Sequence, residues 1–181
     1  KVGNQIGKIT LYATTEKGYK NLTKISSLCY LKNNSNDEPS CEIEDLLINN
    51  EDLILLTGSQ RDLFGKLFQT NKEKDFNDTL KILKKNFENR LYIEIQRHDE
   101  KDEKIYENYL LDRSITLNIP LIASQEVFYL KPEMYEAHDA LKCIGEKNFV
   151  EDKNRFKLSN QHFLKNNKDI IELYSDIPEA L

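Results

Sequence analysis

Four short apolar segments with the character of β-strands divide the chain at regular intervals. They lie at residues 8–13, 52–58, 90–96 and 119–124. The second is apolar throughout, which is typical of a strand covered on both faces, whereas the third presents Tyr92, Glu94 and Gln96 on one more polar face. Between the strands, apolar residues recur at spacings of three and four, which predicts helices. These positions are Tyr19, Leu22, Ile25, Ser26 and Cys29, then Phe76, Leu80, Leu83 and Phe87, and then Ile105, Tyr109, Leu110 and Leu117.

The alternation of strands and helices predicts an α/β fold. The units recur about every 30 to 45 residues, the length in which a helix connects two parallel strands. We therefore expect a parallel sheet with right-handed crossovers, either open and doubly wound or closed into a barrel. Beyond Leu130 the pattern predicts only short helices, at residues 132–144, 159–164 and 168–174, with Ser159 and Asn167 as helix starts. Residues 33–40 are predicted to form a turn-rich loop.

Composition narrows the class of protein. The 181 residues suffice for one domain, and a hydrophobic content of 39% supports a core although 31% of the residues are charged. A net charge of −5 argues against a protein that coats duplex DNA, and we interpret the basic cluster Lys81, Lys84 and Lys85 as a solvated helix face. No apolar run reaches the roughly 20 residues of a membrane-spanning helix, so we expect no membrane contact.

The cysteines and the chain ends add two expectations. Three cysteines without CxxC spacing indicate neither a disulfide framework nor a structural zinc site, so we expect a reducing, cytoplasmic location. The sequence starts at Lys1, close to an apolar alternation, and stops at Leu181 within what looks like a continuing segment. We therefore expect it to be a piece of a longer protein.

The candidate site residues directly follow the predicted strands, because the functional groups of parallel α/β folds collect at the carboxyl edge of the sheet. If the strands are neighbours, Ser59, His98 and Glu126 share one mouth. The residues that follow the second, third and fourth strands are Gly58, Ser59, Gln60 and Arg61, then Arg97, His98 and Asp99, and then Ser124, Gln125, Glu126 and Phe128.

Two interpretations of these residues stay open. One is a metal-dependent phosphoesterase with His98 and Glu126 as ligands, although a catalytic metal needs about three. The other is a set of ordinary polar loop residues. A serine triad and a phosphate-binding loop have weaker support, because the sequence has neither GxSxG nor GxGxxG. We interpret His138 as a helix-face histidine that is hydrogen-bonded nearby, His162 as a solvent-exposed surface residue and Cys143 as a small buried hydrophobe.

Six motifs then give the chain a family resemblance. They are EKGYKNL at 16–22, LLTG at 55–58, YIEIQRH at 92–98, IPLIASQE at 119–126, AHD at 137–139 and DIPEAL at 176–181. In this order the chain resembles the polymerase and histidinol phosphatase (PHP) domain found in the alpha subunit of bacterial DNA polymerase III. The part of that domain with the family's His-x-His metal motif has no counterpart in this sequence.

The resemblance implies a distorted (β/α)7 barrel, of which this chain supplies the later two-thirds. Residues 1–130 would hold barrel strands and helices, and residues 131–181 the helical end of the domain and its connection toward the polymerase palm. The family's metal positions are altered: Ser59 stands where a cysteine is expected, His98 is retained, and Glu126 and Phe128 replace an aspartate and a histidine. Since Phe128 cannot coordinate a cation, we expect a vestigial site with no bound metal, no cofactor and no catalytic residue.

The function that the resemblance implies belongs to a larger enzyme, a DNA-directed DNA polymerase of chromosome replication. The palm, outside these residues, would carry the catalytic aspartates and Mg²⁺. This chain would have a structural role and dock the proofreading exonuclease (epsilon) subunit and the rest of the alpha chain, with DNA contacted through the parent protein. The alternative is a stand-alone, metal-dependent PHP phosphoesterase similar to histidinol phosphatase, and a third possibility is an interaction module without an ancestral active site.

Overall fold

The computed structural model describes residues 1–33 and 38–181. Within them, strands and helices alternate along the first two-thirds of the chain, and helices and extended segments make up the rest. The strands are β1 (Thr10–Ala13), β2 (Leu53–Leu56), β3 (Leu91–Gln96) and β4 (Leu121–Ser124). The α-helices are α1 (Glu16–Leu31), α2 (Ile43–Ile48), α3 (Leu63–Gln69), α4 (Glu73–Phe87), α5 (Glu103–Leu117), α6 (Tyr135–Glu146) and α7 (Asn167–Leu173). Short 3-10 helices span Glu88–Arg90, Pro132–Met134 and Pro178–Ala180.

The strands form one sheet in the order β1-β2-β3-β4, so each predicted strand is found and each pairs with its neighbour in sequence. β2, β3 and β4 are parallel, with Leu55 opposite Leu91 and Ile95 opposite Ala123. The prediction of an entirely parallel sheet is wrong at β1, which runs antiparallel to β2. The α/β class is confirmed, whereas the complete (β/α)7 barrel stays a prediction.

The reversal of β1 reflects the path of the connection to β2, which contains helix α2, a helix that the sequence pattern did not reveal. A single helix between two strands carries the chain back to the opposite end of the sheet, and this gives parallel strands. Here α1 leads away from the end of β1, and the segment containing α2 returns to that same end. The Thr14 amide donates to the Asp52 carbonyl at 3.0 Å, and the Thr15 hydroxyl donates to the Asp52 carboxylate at 2.7 Å. β2 therefore begins where β1 finishes.

The main core lies between the sheet and its helices. On α4 the predicted apolar face is confirmed, since all four of its predicted positions, Phe76, Leu80, Leu83 and Phe87, are fully buried. On α1 and α5 the faces were assigned less well: Ile25 and Leu110 are buried, but Tyr19 is 64% exposed and Ile105 61% exposed. On α5, Tyr106 is buried in place of its neighbour Ile105. Apolar residues occur on more than one side of these helices, so spacing alone does not define the core face.

The C-terminal third contains one wrong prediction. Helices were found at two of the three predicted places, as Pro132–Glu146 and Asn167–Leu173, the second capped by Asn166 instead of Asn167. Residues 159–164 form no helix: Asn160 and Gln161 lie in a turn, and Phe163 forms a β-bridge with Tyr129, whose carbonyl accepts a hydrogen bond from the Leu164 amide at 3.0 Å. Ser159 caps no helix; its hydroxyl donates to the His98 carbonyl. This tertiary contact competes successfully with the weak local helix signal.

The extreme C-terminus is tied to the sheet by an ion-pair cluster. Arg97, directly after β3, makes paired hydrogen bonds to Glu107 at 2.7 and 2.9 Å and to Asp176 at 2.7 and 2.9 Å. Its guanidinium also donates to the Leu173 carbonyl at 2.6 Å. Beneath it, the fully buried Tyr174 places its hydroxyl 3.1 Å from the carbonyl of Ile95. Helix α7 and the residues after it are thus fixed against β3.

The predicted loop at residues 33–40 and the expected lack of a membrane-spanning helix are compared with the structure next. Of the loop predicted at residues 33–40, positions 34–37 lie outside the described residues, and the remainder contains neither helix nor strand. In the part of the chain that the structure covers, none of the helices is both long and apolar enough to cross a bilayer.

Candidate functional site

The loops after β2, β3 and β4 meet at the carboxyl edge of the sheet, because these strands are parallel neighbours. His98 and Glu126 are in contact there: the Glu126 amide donates to His98 Nε2 at 3.1 Å. Ser59 lines the same small cavity as His98 but faces its own loop, where its hydroxyl donates to Asp62 Oδ2 at 2.9 Å. We call this edge the rim and define it by six residues. They are Ser59, Arg61, His98, Glu100, Glu126 and His162.

The turn that positions Ser59 and Arg61 depends on Gly58. Its φ of +85° is rarely adopted by residues with a side chain, and a Cβ here would lie 2.8 Å from Asp62. The Gly58 amide donates to Glu94 at 3.0 Å. Glu94 lies on the face of β3 that the sequence predicted to be polar, and it is buried with its carboxylate also accepting from Gln96 and Ser124. The buried carboxylate therefore links the β2 turn to β3 and β4.

His98 is fixed by burial, by hydrogen bonds and by ring stacking. It is only 2% exposed, its amide donates to Glu103 at 2.8 Å, and its ring stacks on His162 with centroids 4.2 Å apart and planes 4° from parallel. Burial, together with the neighbouring His162, Lys165 and Arg61, lowers the pKa of His98 to about 3. The imidazole is consequently neutral at physiological pH, and its Nε2 lone pair accepts the amide hydrogen of Glu126.

His162 corrects a prediction. It was expected on the solvent-exposed surface but is completely buried, because the segment that carries it forms a turn and a β-bridge beside the rim instead of a helix. Its Nε2 lies 3.0 Å from Glu100 Oε1, and its Nδ1 lies 3.1 Å from the Glu126 carbonyl. Sequence analysis missed this residue because no local pattern links it to positions some 60 residues earlier.

Arg61 is the cation of the rim. Its guanidinium lies 3.2 Å from Glu100 Oε1 and also contacts the carboxylate of Glu126, so it joins the loops that follow all three parallel strands. Burial opposes ionisation of Glu100, but hydrogen bonds from His162 and Ser159 and the charge of Arg61 outweigh it and lower the pKa of this carboxyl. Arg61 was among the residues predicted to follow a strand, and its positive charge was the sequence feature that could have marked it as part of the site. Glu100, two residues beyond His98, was not among the predicted site residues.

Three further candidate residues lie outside the rim: Phe128, which contacts it, and His138 and Cys143 on helix α6. The Phe128 ring is 44% exposed and lies 5.2 Å from the ring of His162 and 5.3 Å from that of His138. His138 is on helix α6 as expected, and its ring packs against the rings of Phe128 and Tyr129. Cys143 is buried on the same helix, which confirms its predicted place.

Comparison with known proteins assigns the family. A family model described as the PHP domain matches residues 3–98, which is more than half of the chain. The chain belongs to the PHP domain family. The predicted resemblance is thereby confirmed, and it places the residues of the rim that follow β2 and β3 within or close to the matched part of the PHP domain.

Curated relatives of this PHP domain share one name. The chain is 36% identical over 177 residues to the DNA polymerase III subunit alpha of Rickettsia bellii, which covers 96% of the chain and 15% of the relative. It is 33% identical to the protein of that name from Caulobacter vibrioides, covering 95% of the chain and 15% of the relative. For the one from Borreliella burgdorferi the identity is 34%, with 100% and 16% covered. The chain thus spans about 15% of the length of these relatives.

The main donor atoms of the rim are engaged with other groups of this PHP domain. Among residues 1–33 and 38–181, no group of three or more His, Cys, Asp or Glu side chains is arranged to hold one. The strongest donors are engaged elsewhere: His98 Nε2 with the Glu126 amide, and the carboxylates of Glu100 and Glu126 with Arg61. Phe128 offers no lone pair at the position where a family ligand is expected. What the rim does chemically is to join loops through ion pairs and hydrogen bonds.

The buried His98 predicts a loss of stability in mild acid. Unfolding returns its pKa to about 6.5, so below that pH the unfolded chain binds a proton that the folded chain excludes until about pH 3. Stability that is fully present above pH 6.5 is lost as the pH falls, by about 2 kcal/mol between pH 7 and pH 5. Urea unfolding at the two pH values measures this difference.

The matched variant is His98→Gln, which keeps a polar side chain but cannot titrate. It should be less stable at pH 7 and should show a difference between pH 7 and pH 5 that is smaller by the His98 contribution. An unchanged pH dependence in this variant would show that His98 is not the group responsible.

Proposed function

We propose that this chain is the PHP portion of a bacterial replicative DNA polymerase, the DNA polymerase III alpha subunit. The observation that carries the proposal is the likeness to proteins of that name over 95–100% of the chain. The enzymatic activity of the parent protein is then DNA-directed nucleotidyl transfer during DNA replication, in the cytoplasm. Its catalytic aspartates and Mg²⁺ belong to a palm outside these 181 residues, and this chain is not itself catalytic.

Within that enzyme we assign the rim a structural role. The reasons are chemical: two of the expected ligand positions carry Ser59 and Phe128, and the remaining donors bind Arg61 or one another. The positively charged guanidinium of Arg61 neutralises the carboxylates of Glu100 and Glu126, as a bound metal ion does in a metal-dependent site. The rim thus holds three loops and the segment 159–164 together and hydrolyses no phosphoester.

The partners follow from the same assignment. We propose that the chain docks the proofreading exonuclease (epsilon) subunit and packs against the rest of the alpha chain, with residues 131–181 leading toward the palm and further strands completing a (β/α)7 barrel. Large exposed apolar residues after β4 support such packing: Leu141 is 65%, Ile144 75% and Phe149 76% exposed. DNA would be contacted through the parent protein, since Lys84 of the basic cluster is engaged with the Asn118 carbonyl.

A chimaeric polymerase tests the identity. The aligned 177 residues of the Rickettsia bellii alpha subunit are replaced by this chain, and Mg²⁺-dependent primer extension is measured beside the parent enzyme. We expect extension to persist, because the replaced segment supports the palm without supplying its catalytic groups. A chimaera that is folded and monodisperse but extends no primer would contradict the proposal.

Metal content tests the structural role against the stand-alone phosphoesterase. We expect elemental analysis of the purified chain to find zinc, manganese and iron at well under one ion per chain in total, and no hydrolysis of an aryl phosphate with any of them added. A metal-dependent phosphatase purified in parallel shows that the procedure retains bound ions. Stoichiometric metal with phosphatase activity would establish the alternative function.

A further inference from the structure

Cys29 and Cys41 lie at the two ends of the connection between α1 and α2. The Ser40 amide, directly before Cys41, donates to the Cys29 carbonyl at 3.1 Å. The Asn33 side chain donates to that carbonyl at 2.6 Å and also to the carbonyl of Ser40. The backbone around Cys41 is thus fastened to the last turn of α1.

The side chains of the two cysteines also come together. Both line one cleft beside β1, and both are half-buried free thiols. Burial and a hydrogen bond with the Cys29 thiol together raise the pKa of Cys41 to about 12. The Cys41 thiol is therefore protonated at neutral pH and faces another sulfur. Cys143 is buried on α6, another part of the fold, and serves as an internal reference.

We propose that Cys29 and Cys41 form an intrachain disulfide when the folded chain meets an oxidised low-molecular-weight disulfide. A disulfide needs Cα atoms about 4.4–6.8 Å apart. The hydrogen bond from the Ser40 amide to the Cys29 carbonyl keeps the segments that carry the two cysteines side by side. The pair belongs to neither the rim nor the proposed polymerase function, and the proposal does not depend on them.

The exchange takes two balanced steps. The Cys29 sulfur attacks one sulfur of the small disulfide, forms a mixed disulfide and releases one small thiol. The Cys41 sulfur then attacks Cys29 in the mixed disulfide, loses its proton to the solvent and releases the second small thiol. Two cysteines are oxidised, and one disulfide molecule is reduced to two thiols. We assign the first attack to Cys29 because the Cys41 thiol is a poor nucleophile while it holds its proton.

The bond would link the end of α1 to the chain just before α2. It closes a ring over residues 30–40, which restricts the unfolded chain more than the folded one. The oxidised chain should therefore unfold at a higher temperature than the reduced chain.

The experiment uses the folded 181-residue chain and oxidised glutathione. After reaction, mass spectrometry should show a loss of 2 Da per chain, thiol titration in denaturant should find one thiol where the reduced chain has three, and peptide mapping should join Cys29 to Cys41. Cys143→Ser should form the same bond, with no thiol left. Cys29→Ser should lose the ring and the rise in unfolding temperature.

Several results would overturn the proposal. Chains that stop at the glutathione adduct of Cys29 would show that the second sulfur cannot reach it. Disulfide-linked dimers, a bond that includes Cys143, or three thiols that stay reduced would also exclude the intrachain pair. Because the reagent acts on the native chain and Cys143→Ser leaves both reacting cysteines in place, none of these results depends on a variant that fails to fold.

Discussion

Replacing Gly65 with alanine is expected to destabilise the chain by about 3 kcal/mol or more. Gly65 lies in α3, where the helix passes directly under the turn after β2. A Cβ at this position would lie well inside van der Waals contact with the backbone O, C and Cα of Gln60. Backbone atoms cannot rotate away as a flexible side chain can, so either α3 or the turn must shift. The free energy of unfolding in urea measures the cost.

Gly145→Ala is the matched control. Gly145 also lies in a helix, α6, but nothing is within 4 Å of the position that its Cβ would occupy. There alanine should stabilise the chain by about 0.5–1 kcal/mol, since it removes conformational freedom from the unfolded state. Equal effects of the two substitutions would show that helix propensity, and not the contact with Gln60, determines the result at residue 65. Because the turn that contains Gln60 also contains Ser59 and Arg61, Gly65→Ala should also disturb the rim.

Arg97→Met is expected to cost about 3 kcal/mol, because it leaves Glu107 as a buried charge without its main partner. The Glu107 side chain is only 3% exposed, and Lys104 alone remains to neutralise it. The variant also releases Asp176 and the Leu173 carbonyl, so the segment after α7 should become sensitive to protease. Urea unfolding and limited proteolysis measure the two effects.

Two further variants test whether the stability effect of the Arg97 cluster exceeds that of an ordinary surface ion pair. Lys20→Met removes an exposed pair with Glu16, in which both side chains are more than two-thirds exposed, and should change stability by about 0.5 kcal/mol or less. Adding Glu107→Gln to Arg97→Met removes the stranded charge and should restore part of the lost stability. If Arg97→Met costs no more than Lys20→Met, the cluster is not what anchors the C-terminus.

The fold was predictable where local pattern and burial agree. The strand β3 and the helix α4 each have one strong periodicity, and both lie where the sequence placed them. The direction of β1 was not predictable from its own residues, since it depends on the end of the sheet to which the chain returns after α1. Helix α2 has only six residues, too few for a clear repeat of three and four.

The candidate site was predictable only in part, for a related reason. His98 and Glu126 follow strands, so the topology of parallel strands was enough to bring them together. Arg61 and Glu100 also follow strands, but their pairing depends on side chains from different loops. His162 comes from a segment some 60 residues beyond Glu100 that forms a turn and a β-bridge, whereas the local sequence of residues 159–164 favours a helix. Contacts of that range are tertiary, and periodicity contains no information about them.

The anchoring of Tyr174 beneath β3 has a consequence for biosynthesis. A ribosome releases the chain from its amino terminus onward, so β1 to β4 emerge well before the residues that close over them. Until Tyr174 leaves the exit tunnel, the carbonyls of Ile95 and Ser124 have no phenolic hydroxyl to bind, and Arg97 lacks Asp176. The nascent sheet must therefore wait for the last residues of this segment before its packing is complete, and a translational pause placed upstream of them would prolong its exposure to chaperones and proteases.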